Sequence, residues 1–208
     1  MDAYTLFFKK SLYEATEEEI IELETHDDPL VNKEAKNYSR PMFEDIQREK
    51  REAKSFKGKL VIRTVEKKDF EGLIRLSRRV NWLDDNTGIR SYSLEDLRVT
   101  INEGIMFVAT TISGFIIAAS SMLVGDINGK KCGYESTTQV SKLFRRKGVA
   151  EKIFTKRIDW ARKNEFTHIN TRGLSEDGFK FLKAIERKRK DLEFVINRYG
   201  ISTISLKY

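Results

Sequence analysis

The sequence has one cysteine, Cys132, and two histidines, His26 and His168, among 208 residues. A single cysteine excludes an internal disulfide framework, and so few soft ligands leave no basis for a zinc site, so no metal is expected. Only two prolines interrupt the chain, and its uninterrupted apolar stretches are a few residues long. They fall far short of the ~20 residues a membrane span requires, and MDAYTLFFKKSLYEATEEE has no basic segment leading into a long apolar one. A cytoplasmic chain with no membrane partner is the expectation. What the sequence has in quantity is charge: 34% Asp, Glu, Lys and Arg, with a net of +7 and a pI near 9.3. Such a balance points to an anionic partner without saying which.

The charge is unevenly placed. Residues 1–57 hold 10 Lys/Arg against 14 Asp/Glu, a net of −4, and residues 58–208 hold 29 against 18, a net of +11. The shift sets an expected boundary near Gly58. The N-terminal part, 1–57, reads as a charged helical extension. Thr16-Glu17-Glu18-Glu19 has the spacing of a capping box, Ile20, Ile21 and Leu23 form a short apolar stripe, and His26-Asp27-Asp28-Pro29 ends it. Met42 to Lys54 is a charged helix with little to bury, so this part is expected to pack on the main domain, on a second copy in a homo-oligomer, or on a partner. A solvated extension is the other reading.

From residue 58 the expected order is β-α-α-β-β-β-α-β-α-β-β, an α/β chain with a mixed sheet. Leu60–Val65 is a β-type run, and Phe70, Leu73, Ile74 and Leu76 follow at near-helical spacing. Asn81–Gly88 reads as a loop, and Ser93-Leu94-Glu95-Asp96 as a capped helix start. Ile105–Ile112 and Phe115–Val124 flank Ser113-Gly114, read as a two-residue hairpin turn, and Asp126-Ile127-Asn128-Gly129 turns the chain into the strand Lys131–Val140. A helix to about Asn164, a strand Thr167–Arg172, a helix from Ser175 to about Lys188 and a closing hairpin, Leu192–Asn197 with Ile201–Lys207, complete it.

The most informative stretch joins the strand ending at Val140 to the helix beginning near Val149. Its loop, Ser141-Lys142-Leu143-Phe144-Arg145-Arg146-Lys147-Gly148, is basic and contains a glycine. The first N–H groups of a helix have no internal partner, and the dipole adds positive potential, so such a junction suits a phosphate. Gly148 lets the main chain approach an anion, and Ala150 keeps the next exposed position small. Alone, the loop reads equally as an ordinary basic turn before a helix.

With its surroundings, the loop resembles the acyl-CoA-binding motif of the GCN5-related N-acetyltransferases, whose pattern is Q/R-x-x-G-x-G/A. Arg145, Gly148 and Ala150 stand at its defining positions, and the element order over the last 150 or so residues is similar to that family's. The resemblance implies acetyl-CoA, or another acyl-CoA, as donor and an amine as acceptor. It implies that main-chain groups at Gln139 and Val140 hold the pantetheine arm, that Arg146, Lys147, Gly148, Val149 and Ala150 hold the pyrophosphate, and that Lys142, Lys152 or Lys156 meets the further phosphate. Asn170 is a candidate to bond the pantetheine or order water. Glu135, on the strand before the loop, is the candidate base; Tyr134 falls on the opposite face if that strand is regular. The helix after the fifth strand reads Phe179-Lys180-Phe181-Leu182, without the tyrosine that often protonates the leaving thiolate in this family, so Tyr199 is the nearest candidate acid. Asp84-Asp85 lie where the resemblance places the acceptor, and equally suit a turn.

Other residues read as structural. Cys132 is expected to be a small buried residue, Trp82 and Trp160 core or loop anchors, and His168 a residue that packs or faces solvent. The run Lys183-Ala184-Ile185-Glu186-Arg187-Lys188-Arg189-Lys190 carries five positive charges against one negative. It suggests a second function class, a non-enzymatic protein of the same fold whose basic face contacts nucleic acid or a larger assembly.

Overall fold

The structure, a computed structural model, describes residues 3–8, 11–81, 93–171, 176–196 and 202–207. The chain divides into two compact units, Met1–Phe56 and Lys57–Tyr208.

The first unit is helical: α1 (Ala3–Phe8), α2 (Glu17–Glu24), α3 (Pro29–Glu34) and α4 (Arg40–Ser55), with a wide π-type turn over Ala35–Ser39 between the last two. The capping box forms as its spacing predicts, Thr16 accepting from the Glu19 N–H while Glu19 accepts from the Thr16 N–H. The stripe is narrower than expected, since Ile20 and Leu23 are buried and Ile21 is exposed. A larger correction concerns α4. It buries Met42, Phe43, Ile46 and Glu49, and Glu49 accepts a hydrogen bond from the Tyr13 hydroxyl at 2.9 Å. Arg40 bridges Glu17 and Glu24 of α2, and Tyr4 donates to Glu19 at 2.7 Å. The extension therefore carries internal tertiary bonds of its own.

The second unit is a seven-stranded mixed sheet in the order β1-β2-β3-β4-β5-β7-β6. Its elements are β1 (Val61–Thr64), α5 (Phe70–Asn81), α6 (Leu94–Glu103), β2 (Gly104–Thr110), β3 (Ile116–Ile127), β4 (Lys130–Val140), α7 (Val149–Lys163), β5 (His168–Thr171), α8 (Glu176–Lys188), β6 (Leu192–Ile196) and β7 (Ser202–Leu206). Every pairing is antiparallel except β4 with β5.

Alternation along the strands feeds two cores. On one face Leu73, Leu76 and Val80 of α5 and Leu97 of α6 pack with Met106, Val108, Ile116 and Ala119. On the other, Phe154, Ile158 and Ala161 of α7 and Leu182 and Ile185 of α8 pack with Met122, Ile169, Leu192, Ile204 and Leu206. Met106 and Ile105, neighbours in β2, go to opposite cores, as a period of two requires.

The turns show their chemistry. Between β3 and β4, Asn128 (φ 54) and Gly129 (φ 76) are both left-handed, a two-residue turn closed by the Ile127–Lys130 pair. Between β2 and β3 the expected two-residue turn is longer: Gly114 N–H bonds to the Thr111 carbonyl at 3.0 Å and Thr111 N–H to the Phe115 carbonyl at 3.0 Å. Ile112, Ser113 and Gly114 thus form a three-residue loop, with Gly114 (φ 82) taking the left-handed closing position. Among the described residues, no helix is long and apolar enough to cross a membrane.

Candidate active site

The site begins at an irregularity in β4. Tyr134 pairs with Leu123 and Thr137 with Ser121, so Glu135 and Ser136 together face the single residue Met122. This is a β-bulge, and it bends the strand that carries it. The extra residue interrupts the strand's alternation between Glu135 and Ser136, the two that share one partner.

Past the bulge, β4 leaves its parallel neighbour. Only Cys132–His168 and Gly133–Ile169 pair between β4 and β5, although β4 runs on to Val140. A gap therefore opens between the two strands. Gly133, in the paired stretch before the gap, leaves room for the Met122 side chain of β3: a Cβ there would overlap its sulfur. Ser141 donates its N–H to the Ile117 carbonyl of β3 at 2.8 Å. In an antiparallel strand the main-chain groups of alternate residues point to alternate neighbours, so Ser141 and Gln139 turn theirs to β3, and Thr138 and Val140 turn theirs to the gap. Of the pair Gln139-Val140, Val140 presents its main chain to the gap, together with Thr138; that of Gln139 belongs to the β3 ladder.

The gap leads to the first turn of α7. A tight turn over Lys142–Phe144 follows β4, then Arg146 (φ 61) and Gly148 (φ 77) take left-handed conformations on either side of Lys147. Gly148 is the N-cap of α7 and contributes no side-chain cap. The leading N–H groups of α7, at Val149, Ala150 and Glu151, have no carbonyl one turn back within the helix, so the dipole end is open to an anion. Val149 is buried and anchors the turn.

The three basic side chains of the loop have different surroundings. Arg145, at the motif's leading position, donates from Nε to the Val140 carbonyl at 3.2 Å and lies 4.0 Å from Asp177 of α8. It braces the loop against the end of β4. The Lys147 ammonium lies 5.5 Å from the centre of the Phe144 ring, a cation–π contact. Arg146 is exposed. On the other flank, Gly58, Lys59, Leu60 and Ile62 line an open groove of about 790 Å³ with Gly148, Glu151, Lys152, Thr155 and Lys156. Lys152 and Lys156 line this groove and Lys142 does not; the Lys152 ammonium donates to the Gly58 carbonyl at 2.8 Å.

One residue that shapes the site was not singled out in the sequence. Arg157 of α7 is 2% exposed, and its Nη1 reaches the Thr137 carbonyl at 2.9 Å, the Ser120 hydroxyl at 2.9 Å and the Ser121 carbonyl at 3.3 Å. Ser121 and Thr137 are the paired residues at one end of the bulge, so their carbonyls are drawn to a guanidinium. The signal was the spacing Val149–Ile153–Arg157–Ala161, which puts Arg157 in the apolar stripe of its helix.

The remaining candidates are scattered. The main chain of Glu135 lies in the bulge, and its side chain is outside the described residues, as are Tyr199, Trp82, Asp84 and Asp85 altogether. Asn170 lies on β5 beside the gap, with its carbonyl oxygen accepting from the Thr203 hydroxyl at 2.9 Å. Cys132 is buried, and burial pushes its thiol above the ordinary range. His168 Nδ1 shares a 2.9 Å hydrogen bond with Thr167, and Trp160 packs edge-on to Phe166. In the C-terminal basic run, Lys183 pairs with Glu186, Lys188 with Glu151 and Arg189 with Asp191. Arg189 and Arg162 together hold the Asp191 carboxyl far below its ordinary range, the Arg189 hydrogen bond being the larger cause. Three of the five cations are thus engaged with neighbouring carboxylates.

No family model matches the sequence, and no curated protein resembles it at the sequence level. Solved structures do resemble its fold. An acetyltransferase of the GNAT family from Streptococcus pneumoniae is 16% identical and superposes with a TM-score of 0.56 over 72% of this chain and 100% of its own. The PaiA N-acetyltransferase of Thermoplasma acidophilum, solved in complex with coenzyme A, is 14% identical, with a TM-score of 0.54 over 72% of this chain and 99% of its own. An aminoglycoside acetyltransferase from an uncultured soil metagenomic sample, solved with sisomicin, is 19% identical, with a TM-score of 0.52 over 67% of this chain and 94% of its own.

Proposed function

We propose that this chain, whose fold is that of the GCN5-related N-acetyltransferases, transfers an acetyl group from acetyl-CoA to a primary amine through the unit Lys57–Tyr208. One observation carries the reading. The gap between β4 and β5 runs directly onto a helix N-terminus capped by Gly148, which is left-handed as Arg146 two residues earlier is. A long, thin ligand with a diphosphate partway along it suits that path.

The residues present fit coenzyme A. Thr138 and Val140 offer main-chain groups along the gap, where an amide-bearing arm finds partners. The turn from Arg146 to Ala150 offers N–H groups and positive charge to a diphosphate. Lys59 and Lys156, in the groove beside Gly148, are placed for a further phosphate. Asn170, whose oxygen is taken by Thr203, retains its amide N–H groups for the arm or a water. When bound, acetyl-CoA supplies the activated thioester.

The chain's own part is to position and to move protons. Val140 and the α7 turn fix the donor end, so the amine meets the carbonyl in a set orientation. Glu135, in the bulge, takes the proton from the amine, directly or through water. Tyr199 supplies a proton to the departing sulfur. The alternative, a non-enzymatic protein with a basic face for nucleic acid, loses support because Lys183, Lys188 and Arg189 are engaged in ion pairs.

Calorimetry with acetyl-CoA tests the reading: folded protein at tens of micromolar should release binding heat, and none would overturn it. Given binding, Glu135→Gln should lower turnover with affinity nearly intact; equal turnover removes Glu135 as the base.

A further inference from the structure

Arg157 carries a buried cation from α7 to the two strands above it. Its guanidinium lies 5.2 Å from the centre of the Phe154 ring, which steadies it from the helix side. From there Nη1 reaches the Thr137 carbonyl and the Ser120 hydroxyl, each at 2.9 Å, and the Thr138 hydroxyl at 3.4 Å. The Ser120 hydroxyl lies 3.2 Å from the same Thr137 carbonyl, to which it donates, and 3.1 Å from the Thr138 hydroxyl. These contacts converge on one peptide unit, the one that joins Thr137 to Thr138.

That unit has two ends. Peptide bonds among the described residues are all trans, so the Thr137 carbonyl and the Thr138 N–H leave one rigid plane in opposite directions. Drawing the carbonyl toward Ser120 of β3 therefore aims the N–H away from β3, toward the gap beside β5. The bulge just before Thr137 disrupts the ladder that fixes such planes in a regular strand, so the guanidinium takes over that task. A charged donor on the oxygen also polarises the peptide, which strengthens the N–H at its other end. The Thr138 N–H is thus a preset donor, suited to a carbonyl oxygen lying in the gap. The arm of an acyl-CoA, with its amides, supplies such oxygens.

We infer that Arg157 is a positioning residue for the acyl donor: through the Thr137–Thr138 peptide it sets the main-chain contact that holds the donor's arm, without touching the donor itself. The inference rests on the acyl-CoA reading above, and a pair of ligands separates the two. Acetyl-CoA extends along both the gap and the turn before α7, whereas adenosine 3′,5′-bisphosphate has no arm and meets only the turn and its groove. In calorimetry, Arg157→Met should lose about fivefold to tenfold in affinity for acetyl-CoA, the size of one hydrogen bond, and keep its affinity for the bisphosphate within about twofold. Equal losses for the two ligands, or none for acetyl-CoA, would overturn the role while leaving the acyl-CoA reading standing. A parent protein that binds neither ligand overturns the reading, and the role with it.

Two further variants separate positioning from stability. Ile158→Ala removes core packing one residue along the same helix and leaves the peptide's partners in place. The ratio of its two affinities should match the parent's. A ratio shifted as far as by Arg157→Met would show that any loosening of α7 suffices, and would overturn the inference. Ser120→Ala is a smaller change, which keeps the test open if Arg157→Met does not fold. It deletes one donor to the Thr137 carbonyl and one anchor of the guanidinium, so acetyl-CoA affinity should fall about twofold to threefold with the bisphosphate unmoved. Unchanged acetyl-CoA affinity in Ser120→Ala would overturn the role of this network.

Discussion

Arg157 donates through Nη1 to the main-chain carbonyl of Thr137 at 2.9 Å, from a helix on one face of the sheet into the edge of a bulge in its fourth strand. The same nitrogen reaches the Ser121 carbonyl at 3.3 Å. A bulge leaves ladder carbonyls without their usual N–H donors, and a guanidinium has donors to spare. Arg157→Met keeps the length of the side chain and removes every donor. It should cost about 2–4 kcal/mol of stability in urea titrations, since buried carbonyls and hydroxyls lose partners together. Amide hydrogen exchange from Thr137 to Val140 should accelerate beyond what that loss alone produces.

Gly148 caps α7 at φ 77, and a Cβ built there meets nothing within 4 Å. Gly148→Ala therefore acts through the backbone and not through a clash, at about 1 kcal/mol of strain. The melting temperature should fall by a few degrees at most. Acetyl-CoA affinity, measured by calorimetry, should fall about tenfold as the turn relaxes from its left-handed conformation.

Asp69 is 5% exposed and accepts from both terminal nitrogens of Arg63, at 2.6 and 2.8 Å, and from the Glu66 N–H at 2.8 Å. The Arg63 hydrogen bond, the larger cause, and the Glu66 N–H hold its carboxyl below the ordinary carboxylate range. A folded-state pKa below the unfolded one gives stability that is full above the unfolded value of about 3.9 and is lost as pH falls through the folded one. Asp69→Asn should cost about 1–3 kcal/mol at neutral pH. The gap between the two proteins should narrow in denaturation curves taken below about pH 4.

Arg189 holds Asp191 with two nitrogens, at 2.7 and 2.8 Å, where the acid is 40% exposed. Arg189→Ala should cost about 1 kcal/mol, a figure already reduced for solvent screening. Because three of the five cations of the basic run are engaged in such pairs, neither the parent nor a Lys188→Ala, Arg189→Ala, Lys190→Ala variant should be retained on double-stranded DNA at about 150 mM salt. Retention of the parent that the variant loses would restore the nucleic-acid reading.

What sequence reasoning reached was local. Asn128-Gly129 announces its turn because few other residue pairs accept two left-handed conformations, and Thr16 with Glu19 announces a cap because both partners lie in one helical turn. The R-x-x-G-x-A loop was visible for the same reason. The bulge at Glu135-Ser136 was not, because an extra residue in a strand is defined only against the strand beside it. Nor was Arg157 singled out, since its burial depends on two strands far away in sequence. Glu49 hides in α4 in the same way, its burial made tolerable by Tyr13, 36 residues earlier.

The two-residue pairing of β4 with β5 has a further, mechanical consequence. Cys132–His168 and Gly133–Ile169 are the sheet's shortest junction, so β5, β7 and β6 join the other four strands through a seam. A seam with few hydrogen bonds is where a fold comes apart in steps. Native-state exchange should resolve two cooperative units, β1–β4 opening only with global unfolding and β5–β7 with α8 opening at lower cost. A ligand lying along the gap would bridge the two and merge them into one transition.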